Sequence, residues 1–289
     1  MGKANRLRKQ RQMCVFCGTR PADSKEHTWG KWTQQVLPDP TEQLSHTHMT
    51  TSFPTLVDGR TVQVAEFRRQ NGAIRAHRQR IVCSPCNNGW MSALETSAKT
   101  ILKPMMFGEP RALSPSDQAS LALWADKTAM VNEFGHRPSV TVSADQRRDL
   151  YQQQPAPHTR VWLARFHDTH ANLHSLRNGL TVFPRDGVNP GPNLRTDTFL
   201  VGRVLFHVLG ASDDIAAQFV EMDITRPNAK FQLIQIWPAA QEAVSWPPSG
   251  EDWTDSAFDL LARMAKEELD SALPPGEFTT AEAIGLPTE

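Results

Sequence analysis

No apolar run in the 289-residue chain approaches the roughly 18–20 residues that a membrane-crossing helix needs. The basic start, MGKANRLRKQRQ, has no apolar stretch behind it, which sets aside a secretory signal. There is no internal repeat, no Gly-rich phosphate loop and no nucleophile elbow, so repeat proteins, P-loop nucleotidases and serine hydrolases of the strand–turn–helix kind are unsupported. No cysteine stands outside two close pairs. These absences leave a soluble protein, expected in the cytoplasm, with no membrane partner. With 39% hydrophobic and 21% charged residues it can bury a core, and its length suits two domains.

The net charge of zero conceals a division. Residues 1–100 carry 5 Lys and 10 Arg against 7 acids, a balance of +8, and residues 101–289 carry −8. A basic half points to a polyanionic partner, and nucleic acid is the expected one. Five of its cations, Lys3, Arg6, Arg8, Lys9 and Arg11, precede the first cysteine with no acid among them. Residues 1–13 are therefore read as a basic tail. Alone it would be a solvated arm; beside a nucleic-acid site it would contact phosphates.

All four cysteines fall in C-x2-C pairs, Cys14 with Cys17 and Cys83 with Cys86. Two thiolates so spaced grip one ion from a tight turn, and two such turns complete the closed tetrahedral shell of a structural Zn2+ site. Two disulfides or four buried thiols are the alternatives, and a reducing compartment disfavours the former. The 65 intervening residues make this a staple across a long insertion, so folding should depend on the metal.

Between the pairs lies Ser24-Lys25-Glu26-His27-Thr28-Trp29, then Lys31 to Leu37 with helical character, ended by Pro38. Asp58-Gly59 divides two β-rich runs and predicts a hairpin. Ala73 to Val82 reads as a strand entering Cys83. Asn87 to Glu95 reads as the start of a helix, with Asn87 near its N-cap and Trp90, Met91 and Leu94 facing inward.

Cys-x2-Cys, an acidic residue followed by His, then Cys-x2-Cys-Asn leading into a helix resembles the HNH endonuclease family, the ββα-metal (His-Me finger) fold. The likeness covers residues 14–100, with SKEHTWGKW and CNNGWMSALE as its densest parts. It implies an N-terminal ββα-metal module stapled by zinc that hydrolyses phosphodiester bonds of nucleic acid, DNA being the first expectation, with a catalytic divalent ion, Mg2+ being the first choice. His27 takes the general-base role, suited by the ordinary histidine pKa. Glu26 matches the acidic position that holds the divalent ion. Asn87 matches the last motif residue, to ligate that ion or orient the phosphate, with Asn88 as the alternative register. Glu95, eight residues on, could reach the same ion. Neighbours on a regular strand point to opposite faces, so Glu26 and His27 can serve one centre only if the chain bends there. The pattern departs from the family before the second pair: His77 is the nearest candidate for the middle residue that orients the base, one place off the common spacing. Arg68, Arg69, Arg75, Arg78 and Arg80 would form a backbone-binding face. Trp29 and Trp32 would stack bases or fill the core.

Residues 101–289 read as a separate α+β domain of unstated role. Helices are expected over Ser114–Phe134, Ala144–Gln154 and Asp252–Leu269, and strands over Thr159–Phe166, Leu180–Phe183, Thr198–Leu209 and Lys230–Trp237, with a loose tail from Pro274. Three functions compete: a metal-dependent endonuclease, a zinc-dependent nucleic-acid-binding module that no longer cuts, and a protein adaptor. The Glu-His pair and the Asn after the second pair favour the first, because binding alone does not require them.

Overall fold

The computed structural model describes residues 12–37, 45–51, 55–57, 60–62, 65–71, 77–135, 140–167, 174–184, 192–221, 232–254 and 278–281. The basic tail, Arg75 and the expected closing helix from residue 255 onward lie outside these. The chain is a mixed α+β protein built on small antiparallel ribbons, one larger sheet and a few helices.

The N-terminal part holds β1 (Ser24–His27), α1 (Thr33–Val36), β2 (Ser45–Thr51), β3 (Thr55–Val57), β4 (Arg60–Val62), β5 (Ala65–Asn71) and β6 (Arg78–Val82). β3 and β4 pair with Val57 opposite Arg60, the register expected from Asp58-Gly59. β2 pairs with β5, and β1 with β6. After Cys83 the chain turns into α2 (Ser84–Cys86), a wide π-type turn over Asn87–Met91, and α3 (Ser92–Met106). The cap position falls to Cys83, four residues before Asn87, which lies inside the turn instead. The kink sits at Gly89, whose φ of −94° and ψ of −110° are not helical. It lets the short knuckle helix and α3 take different directions.

β7 (Arg111–Leu113) leads into α4 (Pro115–Glu133), which begins as its sequence predicts. The Ser114 hydroxyl accepts from the Asp117 amide and the Asp117 carboxylate accepts from the Ser114 amide, a capping box ahead of Pro at the first helical position. α5 (Ala144–Tyr151) repeats the device with Ser143 and Gln146. A six-stranded sheet follows, with β8 (Thr159–Arg165), β9 (His174–Pro184), β10 (Leu194–Val201), β11 (Val204–Ala211), β12 (Ile234–Trp237) and β14 (Phe278–Ala281) in the order β12-β8-β11-β10-β9-β14. α6 (Asp214–Glu221) follows β11, and β13 (Val244–Trp246) pairs with β7.

Two expectations fail here for physical reasons. Thr198–Leu209 is not one strand but the facing arms of a hairpin, β10 and β11, with Val201 opposite Val204. Both arms are buried on both faces, so no alternation marks the break. Gly202, at φ +59°, makes the turn, and a Cβ there would press on Met106 at the end of α3. The tail from Pro274 is not loose throughout, because Phe278–Ala281 extends the sheet beside β9.

The expected boundary at residue 100 falls inside α3, and the largest buried cluster ignores it. Trp29, Trp32 and Leu37 pack with Leu102 and Met105 of α3, Leu121 and Trp124 of α4, and Phe199, Val204 and Phe206 of the sheet. Rings touch across it, Trp29 with Phe199 at 5.4 Å and Trp32 with Trp124 at 6.4 Å between centroids. A second cluster joins the cysteines, Phe16 and Val82 to Met130 and Val131 of α4 and Leu150 of α5. α4 thus serves as the common wall of both clusters. No helix among the described residues is long and apolar enough to cross a membrane.

Candidate functional site

The four cysteines meet. Their sulfur atoms all lie within 4.8 Å of one another, and Cys17 Sγ and Cys83 Sγ are 3.8 Å apart. Thiolates about 2.3 Å from one tetrahedral ion sit roughly 3.8 Å from each other, so the cluster can hold a metal ion such as zinc. All four are free thiols, which sets aside the disulfide alternative. The first knuckle closes through Gly18 N to Cys14 O at 2.9 Å, with Gly18 at φ +65°, and the second through Asn87 N to Cys83 O at 3.0 Å. Asp23 laces the two together: its carboxylate accepts from the Ser84 amide at 2.7 Å and hydroxyl at 3.0 Å, and its carbonyl accepts from Arg80. Burial would raise the Cys17 thiol, but hydrogen bonds from the Thr19 side chain and backbone carry it down to about 6. Burial raises Cys83 and Cys86.

This anchor fixes the β1–β6 ribbon beside the start of α3. Ser24 opposes Val82, but Glu26 opposes Gln79 and His27 opposes Arg78, so β6 spends one extra residue across from Lys25. The bulge therefore precedes Glu26-His27 instead of falling between them. The pair itself keeps regular register, and consecutive side chains diverge. Glu26 is 5% exposed and turns inward; His27 stays half-buried.

An open cleft of about 400 Å³ lies between the ribbon and α3. Glu26, His27, Asn87, Asn88 and Glu95 line it, together with Lys25, Lys31 and Lys99. The sequence candidates on the two sides of the long insertion are thus brought together. Burial lowers His27 below its ordinary value, and the charges of Arg78, Lys31 and Lys127 push the same way, against the pull of Glu95, a balance that favours the uncharged ring. Asn87 spends its amide nitrogen on β1, donating to Ser24 Oγ at 2.7 Å and to the Lys25 carbonyl at 3.4 Å.

His77 is not among the cleft residues. Its Nδ1 lies 3.1 Å from Thr28 Oγ1, its Nε2 3.1 Å from Gln79 Nε2, and its carbonyl accepts from the Thr28 amide. It grips the residue after His27 from behind the ribbon. Trp29 and Trp32 are 1% and 8% exposed and belong to the core, Trp32 also edging the cleft. Arg78 and Arg80 are exposed on β6. The side chains of Arg68 and Arg69 fall outside the described residues.

The residue that sequence reasoning missed is Lys127. It arrives from α4, beyond residues 14–100, and its ammonium is wholly buried between two carboxylates, 3.2 Å from Glu26 Oε1 and 2.5 Å from Glu95 Oε1. The other Glu95 oxygen accepts from Trp32 Nε1 at 2.5 Å, and Glu26 accepts from the His27 amide. Burial alone would depress the lysine, but Glu95 and Glu26 outweigh it and hold it above the ordinary value. Burial raises Glu26, against the pull of Lys127. A signal was present: Lys127 stands three residues from both Trp124 and Met130, in a stretch of α4 that is buried on all sides from Trp124 to Val131, where a charge needs a partner.

The expected divalent ion does not fit this donor set. Each carboxylate is already engaged by Lys127 and by a further N–H donor. An ion ligating Glu26 would have to share that carboxylate with the buried ammonium 3.2 Å from Glu26 Oε1, and the two cations would repel each other across it.

Gly30 shows how tightly the arrangement is drawn. A Cβ there would overlap Glu95 Oε2 and come within 2.5 Å of Trp32 Nε1. Gly30→Ala must displace Glu95 from its partners, and the expected loss is about 1–3 kcal/mol, read from the denaturant midpoint at constant slope. An unchanged midpoint would show that the contact is slack. Comparisons with protein-family models, with curated proteins and with solved structures gave no match to this chain.

Proposed function

We propose that the cleft hydrolyses phosphodiester bonds of a nucleic acid, DNA before RNA, on a zinc-stapled scaffold of HNH type. The observation that carries the reading is a half-buried imidazole at His27 lining a cleft with Lys25, Lys31 and Lys99 around it, beside the clustered cysteines. Lysines suit a phosphate backbone, as point charges that displace its counterions. His27 takes a proton from water as the water oxygen bonds to phosphorus. The bond from phosphorus to the leaving ester oxygen breaks, and that oxygen takes a proton from solvent, leaving a phosphomonoester and a free hydroxyl. Asn87 keeps the ribbon against the start of α3, so His27 and the lysines hold one relative position.

The test is nicking of supercoiled plasmid by the zinc-loaded chain beside His27→Ala, with divalent ions and without. Loss of the base should lower the rate about 10²- to 10⁴-fold. Because the His27 pKa is lowered, the acid limb of the rate should lie below the ordinary histidine value near 6.5, with a level stretch through neutrality. Equal nicking by both proteins removes His27 from the chemistry; no nicking by the wild type under any condition removes the enzyme. A binding module that does not cut is the second reading, favoured by the commitment of Glu26 to Lys127. It would show salt-dependent DNA affinity with the plasmid intact.

A further inference from the structure

We infer that Lys127 stands in the place of the divalent ion: a built-in ammonium that neutralises Glu26 and Glu95, so that the cleft grips phosphate directly through His27 and its lysines, with no bridging metal. The phosphate half of this statement rests on the proposed hydrolase or binding role; the cation half does not. Lys127 is a positioning residue, since it is fully buried and meets no ligand.

Four observations converge. The two acidic residues that line the cleft both turn to the same nitrogen. Each accepts one further bond from a neutral donor, Glu95 from Trp32 Nε1 and Glu26 from the His27 amide, so a metal ion would have to compete with Lys127 for carboxylates already engaged. Gly30 admits Glu95 to this position only because it has no side chain, so the backbone itself is shaped around the pairing. And the cleft's exposed charge is basic, with Lys25 and Lys31 open to solvent, as suits an anion arriving without a metal escort.

The probe is Mn2+, titrated into the zinc-loaded full chain and followed by the resonance of the free ion. The wild type should bind no Mn2+ that Glu26→Gln abolishes. Lys127→Met keeps the volume of the side chain and removes the charge, leaving two unpaired carboxylates on one cleft. It should gain one Mn2+ site more than about tenfold tighter than any in the wild type, and Glu26→Gln in that background should erase it. A wild-type Mn2+ site lost in Glu26→Gln overturns the inference, and so does a folded Lys127→Met protein with no gain. If Lys127→Met does not fold, the wild-type and Glu26→Gln titrations decide alone. Absence of nicking alongside the expected Mn2+ pattern would end the hydrolase reading and leave this one standing.

Discussion

Removal of the metal, by a strong chelator or by Cys83→Ser, is expected to abolish the cooperative folding of the region from Cys14 through α3. A structural zinc ion bound by thiolates contributes on the order of 10–16 kcal/mol, about as much as the whole stability of an ordinary domain. Here the ion would join cysteines with 65 residues between them, so without it the entropy of a long loop returns to the unfolded state. The loss should spread, because the cysteines belong to the same buried cluster as Met130, Val131 and Leu150. Circular dichroism and thermal unfolding, with and without chelator and with zinc restored, measure it. Metal analysis should find one zinc per chain. A transition unmoved by chelation, or far less than one zinc, would refute the staple.

The second large effect is expected at Lys127. Lys127→Ala leaves two carboxylates in a buried place without their cation, and breaking a buried ion pair from one side costs about 3–5 kcal/mol. The truncation also opens a cavity against Trp124 and its neighbours, which adds to the loss. Adding Glu26→Gln and Glu95→Gln to Lys127→Met removes all three charges together and should recover much of the stability, since the penalty lies in the unpaired charge. Denaturant unfolding of the single and triple variants separates the two contributions. A triple variant no more stable than Lys127→Met would show that the charges are not coupled.

How much of this was legible follows from where each signal lies. The capping boxes at Ser114 and Ser143 and the register at Val57 and Arg60 are local, and short-range chemistry fixes them. The meeting of the cysteines was legible despite its range, because four identical ligands with one spacing admit few other purposes. Asn87 and His27 could be placed on one cleft only through that staple. Lys127 could not be placed, since nothing near it in sequence names Glu26, 101 residues away, as its partner. The same holds for the chain division at residue 100. The charge balance changes sign there, but Trp29 and Trp32 need the apolar wall that α4 and the sheet supply, and composition carries no record of such contacts. The bulge in β6 was anticipated as a bend between Glu26 and His27. It came earlier, across from Lys25, and leaves the pair itself in regular register.

Asp126 and Lys127 are consecutive on α4, yet they face different company: Asp126 pairs with the buried Arg195 of the sheet, and Lys127 with the carboxylates of the cleft. One peptide unit is thus the hinge pin between the cysteine-stapled cleft and the sheet that follows it. A graft that carried the cleft without α4 would leave Glu26 and Glu95 without their cation, and one that carried the sheet without α4 would leave Arg195 without Asp126.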